Sequence, residues 1–203
     1  MTPDEDAGPI RARDERWPAV GEDARGRTFA AAVARGDEDA VATAVRHHLP
    51  RLIRYVARLG ADPGLAEDIA QEALVRAVLS VRRGRAPQDL GSWLYAVCTN
   101  LWRDAARSAE RRHTVIGLPV DALPPTREVA ATLEDAVELQ QAVRQLPLAL
   151  RAVVVLRFHE GLSIKEIALV TGAPVGTVKW RMFTALRRLR SQLGPSIEGD
   201  GEK

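Results

Sequence analysis

Several residue types that stabilise sheets, disulfide frameworks or membrane segments are scarce in this sequence. Cys98 is its single cysteine, which excludes an internal disulfide and a cysteine-rich zinc site. Aromatic residues make up only 4% of the 203 residues, so the core consists mainly of Ala, Leu and Val, and this composition favours packed helices over sheets. The longest apolar runs, such as 152–156, are far too short to span a bilayer. The acidic, polar start of the chain does not match a signal peptide, so we expect a cytoplasmic protein without membrane insertion. From the composition we expect an all-α fold.

The groups that catalytic sites require are also missing. The sequence has no Gly-rich phosphate loop and no nucleophile accompanied by a base. His47 and His48 are adjacent, so they do not share a helical face, and we interpret them as surface residues rather than metal ligands. We therefore expect a protein that is not an enzyme, with no catalytic residue, no metal and no cofactor.

Lysine is rare, and nearly all of the basic charge comes from Arg. The net charge of +2 hides an uneven distribution along the chain. Between 147 and 193 there are eight Lys or Arg residues and two Asp or Glu residues, which gives this segment a net charge of +6. A basic segment compensated by acidic residues elsewhere indicates a nucleic-acid-binding module.

Helical periodicity extends over most of the chain, and Pro-rich or Gly-rich stretches interrupt it. The pattern predicts a disordered tail at 1–26 and a four-helix domain at 27–112. A Pro-rich linker at 113–132 leads to a second four-helix domain at 133–194, and a polar tail follows at 195–203. Helix signals begin at Thr28. We expect Pro50 to open a further helix rather than interrupt one, and Ser92 to cap a helix that starts at Trp93.

A short helix, a tight turn and a basic helix follow one another between 162 and 190. Ser163 and Glu166 form the pattern of a capping box at the start of the first helix. Gly172 tolerates the left-handed conformation that ends a helix, and Pro174 suits the start of the next one. These features predict a helix-turn-helix whose second helix enters the DNA major groove. The alternative is an ordinary helical hairpin with a solvated basic face.

The helix predicted from Pro63 to about Val81 has a largely polar side opposite its apolar residues. This side consists of Asp68, Gln71, Glu72, Val75 and Arg76. Its carboxylates can pair with Arg side chains on a partner helix. A solvated acidic face is the other interpretation.

The helix that follows, at about 93–112, is expected to bury a stripe that contains Leu94 and Cys98. Its exposed side carries Asn100 and several Arg residues, with Tyr95 nearby. An Arg-rich loop precedes this helix. The whole region is therefore a second candidate for contact with nucleic acid.

Three segments together resemble bacterial sigma factors of the two-domain, extracytoplasmic-function type in the sigma-70 family. They are AEDIAQEALVRA at Ala66–Ala77, SWLYAVCTN at Ser92–Asn100, and Leu146–Met182, which contains LSIKEIALVTGAPVGTVKWRM. The resemblance covers about 28–193, and it is specific because the segments occur in this order with this linker length. It implies a factor that binds core RNA polymerase and directs promoter-specific transcription initiation at minus-ten and minus-thirty-five elements.

In that family the first domain binds the clamp helices of the polymerase β′ subunit through an acidic helix with a D-x-x-Q-E signature. The signature matches Asp68, Gln71 and Glu72. The resemblance therefore implies that this helix, with Val75 and Arg76, contacts core polymerase. It also implies that the β flap is a partner.

The resemblance implies that the loop before Trp93 and the helix after it read the minus-ten element. We interpret Trp93 itself as a core residue. Captured single-stranded bases need pockets, and a basic surface follows their backbone. The candidates are Arg82, Arg83, Arg85, Tyr95, Asn100, Arg103 and Arg107. Ala96 stands where family members often carry Arg, so we do not transfer a minus-ten sequence.

The second domain resembles the family's reader of the minus-thirty-five element. The candidates are Thr177, Lys179, Trp180, Arg181, Phe183, Thr184, Arg187 and Arg188. Trp180 stands where a small residue usually touches phosphate, and Thr184 stands where a basic residue is common. These departures prevent the transfer of a consensus promoter.

Two other functions compete with a sigma factor. A helix-turn-helix regulator would bind duplex DNA without core polymerase, but the helix with Asp68 and Glu72 argues against it. A sigma-like decoy would dock on polymerase without reading DNA, and the departures at Ala96, Trp180 and Thr184 keep this alternative open. The resemblance also implies an anti-sigma factor, which no residue identifies. The acidic tail at 1–26 is a further candidate for masking the basic domain.

Overall fold

The computed structural model describes residues 24–87, 89–112 and 133–193, and every regular element within these ranges is an α-helix. The expected all-α fold class is therefore confirmed. The helices are α1 (Ala24–Arg35), α2 (Glu38–Arg58), α3 (Pro63–Arg82), α4 (Leu90–Arg112), α5 (Leu133–Gln145), α6 (Leu148–Phe158), α7 (Ile164–Thr171) and α8 (Val175–Leu193). None of the described helices is long and apolar enough to cross a membrane.

The N-terminal domain, α1–α4, packs around a face of α3 that is made of small residues. Ala66, Ala70, Ala73 and Ala77 recur at helical spacing on this face, and all four are fully buried. Side chains of this size allow α2 and α4 to approach α3 closely, and α3 packs against both helices. The expected buried position of Cys98 is confirmed, and burial raises the pKa of its thiol to about 12.

Pro50 lies inside α2, so the expectation that it opens a separate helix is wrong. Proline lacks an N–H group and costs about 3 kcal/mol inside a helix. The turns that follow bury Leu52, Tyr55 and Val56 completely. Each of these side chains contributes roughly 1.5–3 kcal/mol when buried. Their burial outweighs the local cost, and the helix continues through the proline.

Two helix starts also differ from the expectation. α1 begins at Ala24, four residues before Thr28. α4 begins at Leu90, and the side chain of Asp89 caps it: Asp89 Oδ1 accepts from the Ser92 N–H at 3.2 Å, and Oδ2 accepts from the Ser92 hydroxyl at 2.6 Å. Ser92 is thus a donor in the first turn and not the cap.

The expected tails and linker fall almost entirely outside the described residues. Residues 1–23, 113–132 and 194–203 are not among the described ranges. The predictions of disorder and of an interdomain linker therefore stay predictions. The connected helices α4 and α5 end and begin at the residues where the linker was expected to start and stop.

The C-terminal domain, α5–α8, contains the expected helix-turn-helix. The Ser163 hydroxyl accepts from the Glu166 N–H at 3.3 Å, and Glu166 Oε2 accepts from the Ser163 N–H at 2.7 Å, which confirms the capping box. Gly172 ends α7 in the left-handed conformation, with φ +65°. A small cluster that includes Leu150 and Leu189 joins α5, α6 and α8.

The two domains pack against each other. α7 lies against α4, and buried residues of both domains form one continuous apolar cluster, from Phe29 in α1 to Val178 in α8. This packing places the helix-turn-helix directly on the helix that was expected to read DNA in the first domain.

Candidate protein and nucleic-acid interfaces

The outer face of α3 is a continuous exposed surface. Asp68, Gln71, Glu72, Val75 and Arg76 are all exposed on it, as the helical spacing predicted. Glu72 and Arg76 form a salt bridge at 2.7 Å, and Gln71 donates to the carboxylate of Glu67 at 3.2 Å.

An apolar strip runs through this acidic face. Val75 is 52% exposed and Leu79, one turn further along, is 41% exposed. Sequence reasoning missed Leu79, although its spacing of four residues from Val75 was the available signal. Charged groups around exposed aliphatic side chains suit contact with a protein surface.

The basic loop after α3 presents its three Arg side chains outward. Arg82, Arg83 and Arg85 are exposed. The loop is shaped by Gly84, with φ +74°, and by the Ser80 hydroxyl, which donates to the Arg85 carbonyl at 2.5 Å. These contacts fix the backbone, while the outward positions of the side chains suit phosphate groups.

The candidate residues of α4 are covered to different degrees. Arg107 is exposed and pairs with Asp104 at 2.7 Å, whereas Asn100 and Arg103 are half-buried. Tyr95, which we expected beside the exposed residues, is only 8% exposed. Its hydroxyl donates to Glu160 in the C-terminal domain. The expected exposure of Tyr95 is wrong because its ring packs on Tyr55 of α2 and its hydroxyl meets Glu160, contacts that a single-helix pattern does not reveal.

A buried polar row fixes α4 to α2. The hydroxyls of Tyr55 and Thr99 are hydrogen-bonded at 2.7 Å, and the Thr99 hydroxyl donates to the Tyr95 carbonyl at 2.7 Å. The two tyrosine rings meet edge to face with centroids 5.0 Å apart. Burial is the main cause that raises the pKa of both tyrosines, so the hydroxyls stay protonated. Sequence reasoning missed this row, since its members are 44 residues apart.

The outward side of α8 combines aromatic and basic side chains. Lys179, Trp180, Phe183, Arg187 and Arg188 are exposed there, with exposures of 59% for Trp180 and 65% for Phe183. The remaining candidates are half-buried: Thr177, Arg181 and Thr184. The helix begins at the end of the turn, where a recognition helix presents its first residues to base edges.

One residue of α4 and one residue of α8 interact electrostatically between the two candidate DNA surfaces. Burial is the main cause that lowers the pKa of Arg103, and the positive charge of Arg181 lowers it further. Arg103 belongs to α4 and Arg181 to α8. The helices assigned to two different promoter elements therefore carry like charges that interact in this arrangement.

Known proteins share both domains of this chain. The family model of sigma-70 region 2 matches residues 44–112, and that of sigma-70 region 4 matches residues 136–189. The ECF RNA polymerase sigma factor SigW of Bacillus subtilis is 32% identical over 174 residues, which are 79% of this chain and 92% of SigW. The chain belongs to the sigma-70 family, in its extracytoplasmic-function group.

Other sigma factors support the same placement. The RNA polymerase sigma-H factor of Pseudomonas aeruginosa is 30% identical over 180 residues, or 81% of this chain and 92% of that protein. Two solved structures share the fold. One is the sigma factor RpoE in complex with the anti-sigma factor NepR from Bartonella quintana. It is similar with a TM-score of 0.64 and 22% identity, and the match covers 76% of this chain and 96% of that chain. The other is CnrH in complex with the cytosolic domain of CnrY, with a TM-score of 0.60, 23% identity, and coverage of 83% and 97%.

As a sigma factor, the protein binds core RNA polymerase and promoter DNA and directs promoter-specific transcription initiation. This outcome favours the sigma factor over a helix-turn-helix regulator that acts without polymerase. The family is not one of catalytic enzymes.

Proposed function

We propose that this sigma factor divides its contacts among three surfaces, two in the N-terminal domain (27–112) and one in the C-terminal domain (133–194). The observation that carries the proposal is the contrast between the outer faces of α3 and α8. The α3 face is acidic with an apolar strip, whereas the α8 face is basic and aromatic. These two chemistries suit a protein partner and a DNA partner respectively.

The polymerase contact is the outer face of α3. Its carboxylates at Asp68 and Glu72 pair with basic residues of the β′ clamp helices, and Val75 supplies apolar contact. Gln71 and Arg76 complete the surface. The β flap binds the C-terminal domain.

The minus-ten contact consists of the basic loop and α4. Arg82, Arg83 and Arg85 follow the backbone, since their side chains are exposed and cationic. Asn100 offers an amide to a base edge. The remaining members of this surface are Tyr95, Arg103 and Arg107.

The minus-thirty-five contact is the outward side of α8. Lys179, Arg187 and Arg188 neutralise phosphates. Trp180 and Phe183 provide apolar contact with thymine methyl groups in the major groove. The half-buried members of this surface are Thr177, Arg181 and Thr184.

The protein acts in the cytoplasm as a non-catalytic subunit, because the chemistry of RNA synthesis belongs to the polymerase. An anti-sigma factor holds it inactive; the complex of the sigma factor RpoE with the anti-sigma factor NepR supports this part of the proposal.

The test is run-off transcription with sigma-free core polymerase, this protein and a pool of genomic promoter fragments. We expect discrete starts that depend on the protein, and their alignment yields both promoter elements. Tight core binding without starts would indicate a decoy. Absence of both starts and core binding would contradict the proposal.

A further inference from the structure

A pair of aromatic side chains lies on the outward side of α8. Trp180 is 59% exposed and Phe183 is 65% exposed. They are three positions apart, so they are neighbours on the helix surface, about 4.5 Å apart along its axis. Phe29 and both tyrosines are buried, which shows that the fold buries aromatic side chains elsewhere in the part of the chain that the structure describes. Two adjacent exposed rings indicate a contact surface for a partner.

The charge around this pair indicates the class of partner. Basic side chains, and no acidic ones, belong to α8: Lys179, Arg181, Arg187, Arg188 and Arg190. The exposed Lys179 directly precedes Trp180, and the exposed Arg187 lies one turn beyond Phe183, so cations lie at both ends of the aromatic pair. A basic surface without acids attracts the phosphates of a nucleic acid. The occupant that fits best is therefore duplex DNA.

Side chains that read bases through hydrogen bonds are few at the start of α8. Residues 175–186 contain no Asn, Gln, Asp or Glu. Asn or Gln pairs with adenine in the major groove, and an acid accepts from the cytosine amino group. Lys179 and Arg181 are able to donate to guanine, although Arg181 is half-buried. For base pairs that these two residues do not read, apolar contact is the means of discrimination that remains.

The apolar group that a base pair presents in the major groove is the C5-methyl group of thymine. 5-Methylcytosine has a methyl group on the same ring carbon and presents it in the same groove. Thr177 and Thr184 lie one turn before and one turn after Trp180, and each adds a methyl group to this side of α8. Successive base pairs are about 3.4 Å apart, close to the spacing of the two aromatic residues along the helix. The two rings are thus able to contact methyl groups on neighbouring base pairs.

We propose that Trp180 and Phe183 form a site for the C5-methyl group of pyrimidines in the major groove, whether the methyl group belongs to thymine or to 5-methylcytosine. The inference rests on the proposed minus-thirty-five contact of α8 and names the chemical group that this contact recognises. It makes the two aromatic residues determinants of specificity. It also implies that methylation of a cytosine within the element strengthens binding.

The test compares DNA duplexes that differ only by this methyl group. One pair is alternating dA–dT and alternating dA–dU. The other pair is alternating dG–dC with and without 5-methylation of every cytosine. Within each pair the hydrogen-bonding groups of the bases are the same. Fluorescence anisotropy measures the affinity of the full chain without polymerase, at low salt because non-specific binding weakens as salt rises. The measurement needs no known promoter.

The variants remove the aromatic pair, one ring at a time and together, as Trp180→Ala and Phe183→Ala. Both side chains are exposed, so the circular dichroism spectrum should not change. Phe158→Ala is the matched control, because Phe158 is 62% exposed at the end of α6 and lies outside the recognition helix. Lys179→Ala is the second control. It removes a cation from the same side of α8 and should weaken binding to all four duplexes by the same factor.

We expect the wild type to bind the methylated member of each pair about fourfold more tightly, the factor that corresponds to burial of one methyl group. The ratio of affinities should fall to about one when both rings are removed, and both controls should keep the ratio of the wild type. Equal affinity of the wild type for the two members of both pairs would overturn the proposal. A ratio that persists in the double variant would overturn the assignment to Trp180 and Phe183. A preference within the thymine pair alone would overturn the extension to 5-methylcytosine.

Run-off transcription with core polymerase separates this inference from the proposed function. Promoter-dependent starts by the wild type, together with equal affinities in both duplex pairs, would leave the proposed function intact and overturn the methyl site. A methyl preference that depends on the two rings, without promoter-dependent starts, would contradict the proposed function and support the methyl site.

Discussion

The outer face of α3 and the candidate minus-ten face of α4 differ in access, although the two helices are neighbours in one domain. On α3, Val75 is 52% exposed among exposed charged residues, whereas on α4, Tyr95 is 8% exposed and bonded to the other domain. The difference teaches that packing between elements, and not helical spacing alone, decides which candidate side chains a partner can reach. The candidate polymerase face is exposed, whereas the Tyr95 side chain in the candidate minus-ten face is buried.

The largest expected effect comes from reversing the charge of the accessible face. Asp68→Lys with Glu72→Lys should weaken core polymerase binding by at least about thirtyfold, because truncating or reversing close interfacial charge pairs costs 2–5 kcal/mol. Both side chains are exposed, so the circular dichroism spectrum should not change. A pull-down with core polymerase measures the affinity, and Glu138→Lys, which reverses one exposed acid outside α3, is the control for each single reversal. Equal affinity for all variants would sink the assignment of α3.

A second change tests the fit between the domains. Gly60→Ala and Gly36→Ala both place Cβ at a positive φ, which costs about 1–3 kcal/mol. Only the methyl group at Gly60 meets Arg151, since nothing lies within 4 Å of the one at Gly36. We expect Gly60→Ala to lower the melting temperature more and to expand the molecule in scattering. If the two variants behave alike, the contact with Arg151 does not hold the domains.

A smaller effect should separate the DNA surface from the polymerase surface. Lys179→Ala should reduce the salt dependence of promoter binding by about one unit in the log–log slope, because one phosphate contact is lost. Core affinity should stay the same. Arg157→Ala removes the same charge from α6 and should leave the slope unchanged. A parallel loss of core affinity in Lys179→Ala would argue against separate surfaces.

The smallest expected effect is on stability, and it tests the buried hydrogen bond that connects α2 to α4. Tyr55→Phe removes the buried hydrogen bond to Thr99 and should reduce the free energy of unfolding by about 1 kcal/mol. Thr43→Val, which removes an exposed hydroxyl bonded to the Asp39 carbonyl, should change stability by less than about 0.5 kcal/mol. Urea denaturation compares the two. A destabilisation by Tyr55→Phe no larger than that of the control would show that the buried row does not stabilise α4.

Local sequence rules predicted the features that depend on neighbouring residues. The capping box of Ser163 and Glu166, the left-handed Gly172 and the exposed stripe through Asp68 and Glu72 all follow from spacing within a single helix or turn. The interactions that stabilise these features join residues three or four positions apart. The sequence pattern alone is therefore enough to predict them.

The features that sequence reasoning missed depend on a second element. Pro50 stays inside α2 because the residues that follow it are buried against other helices. Tyr95 is buried because it packs on Tyr55 and meets Glu160. Glu160 and Arg151 bond to residues 65 and 92 positions away. Glu160 is one of two acids in a segment of net charge +6, and this was the available signal for its contacts with the N-terminal domain.

The position of Trp102 gives the molecule an internal optical probe. Its indole nitrogen is buried beside the Gly60–Arg151 contact, so its emission reports the polarity at the junction of the two domains. The other tryptophans, at 17, 93 and 180, can be replaced by Phe to leave this single fluorophore. Separation of the domains would bring water to the ring and shift its emission to longer wavelength. The emission of the free protein would then report, without an attached dye, whether this junction excludes water.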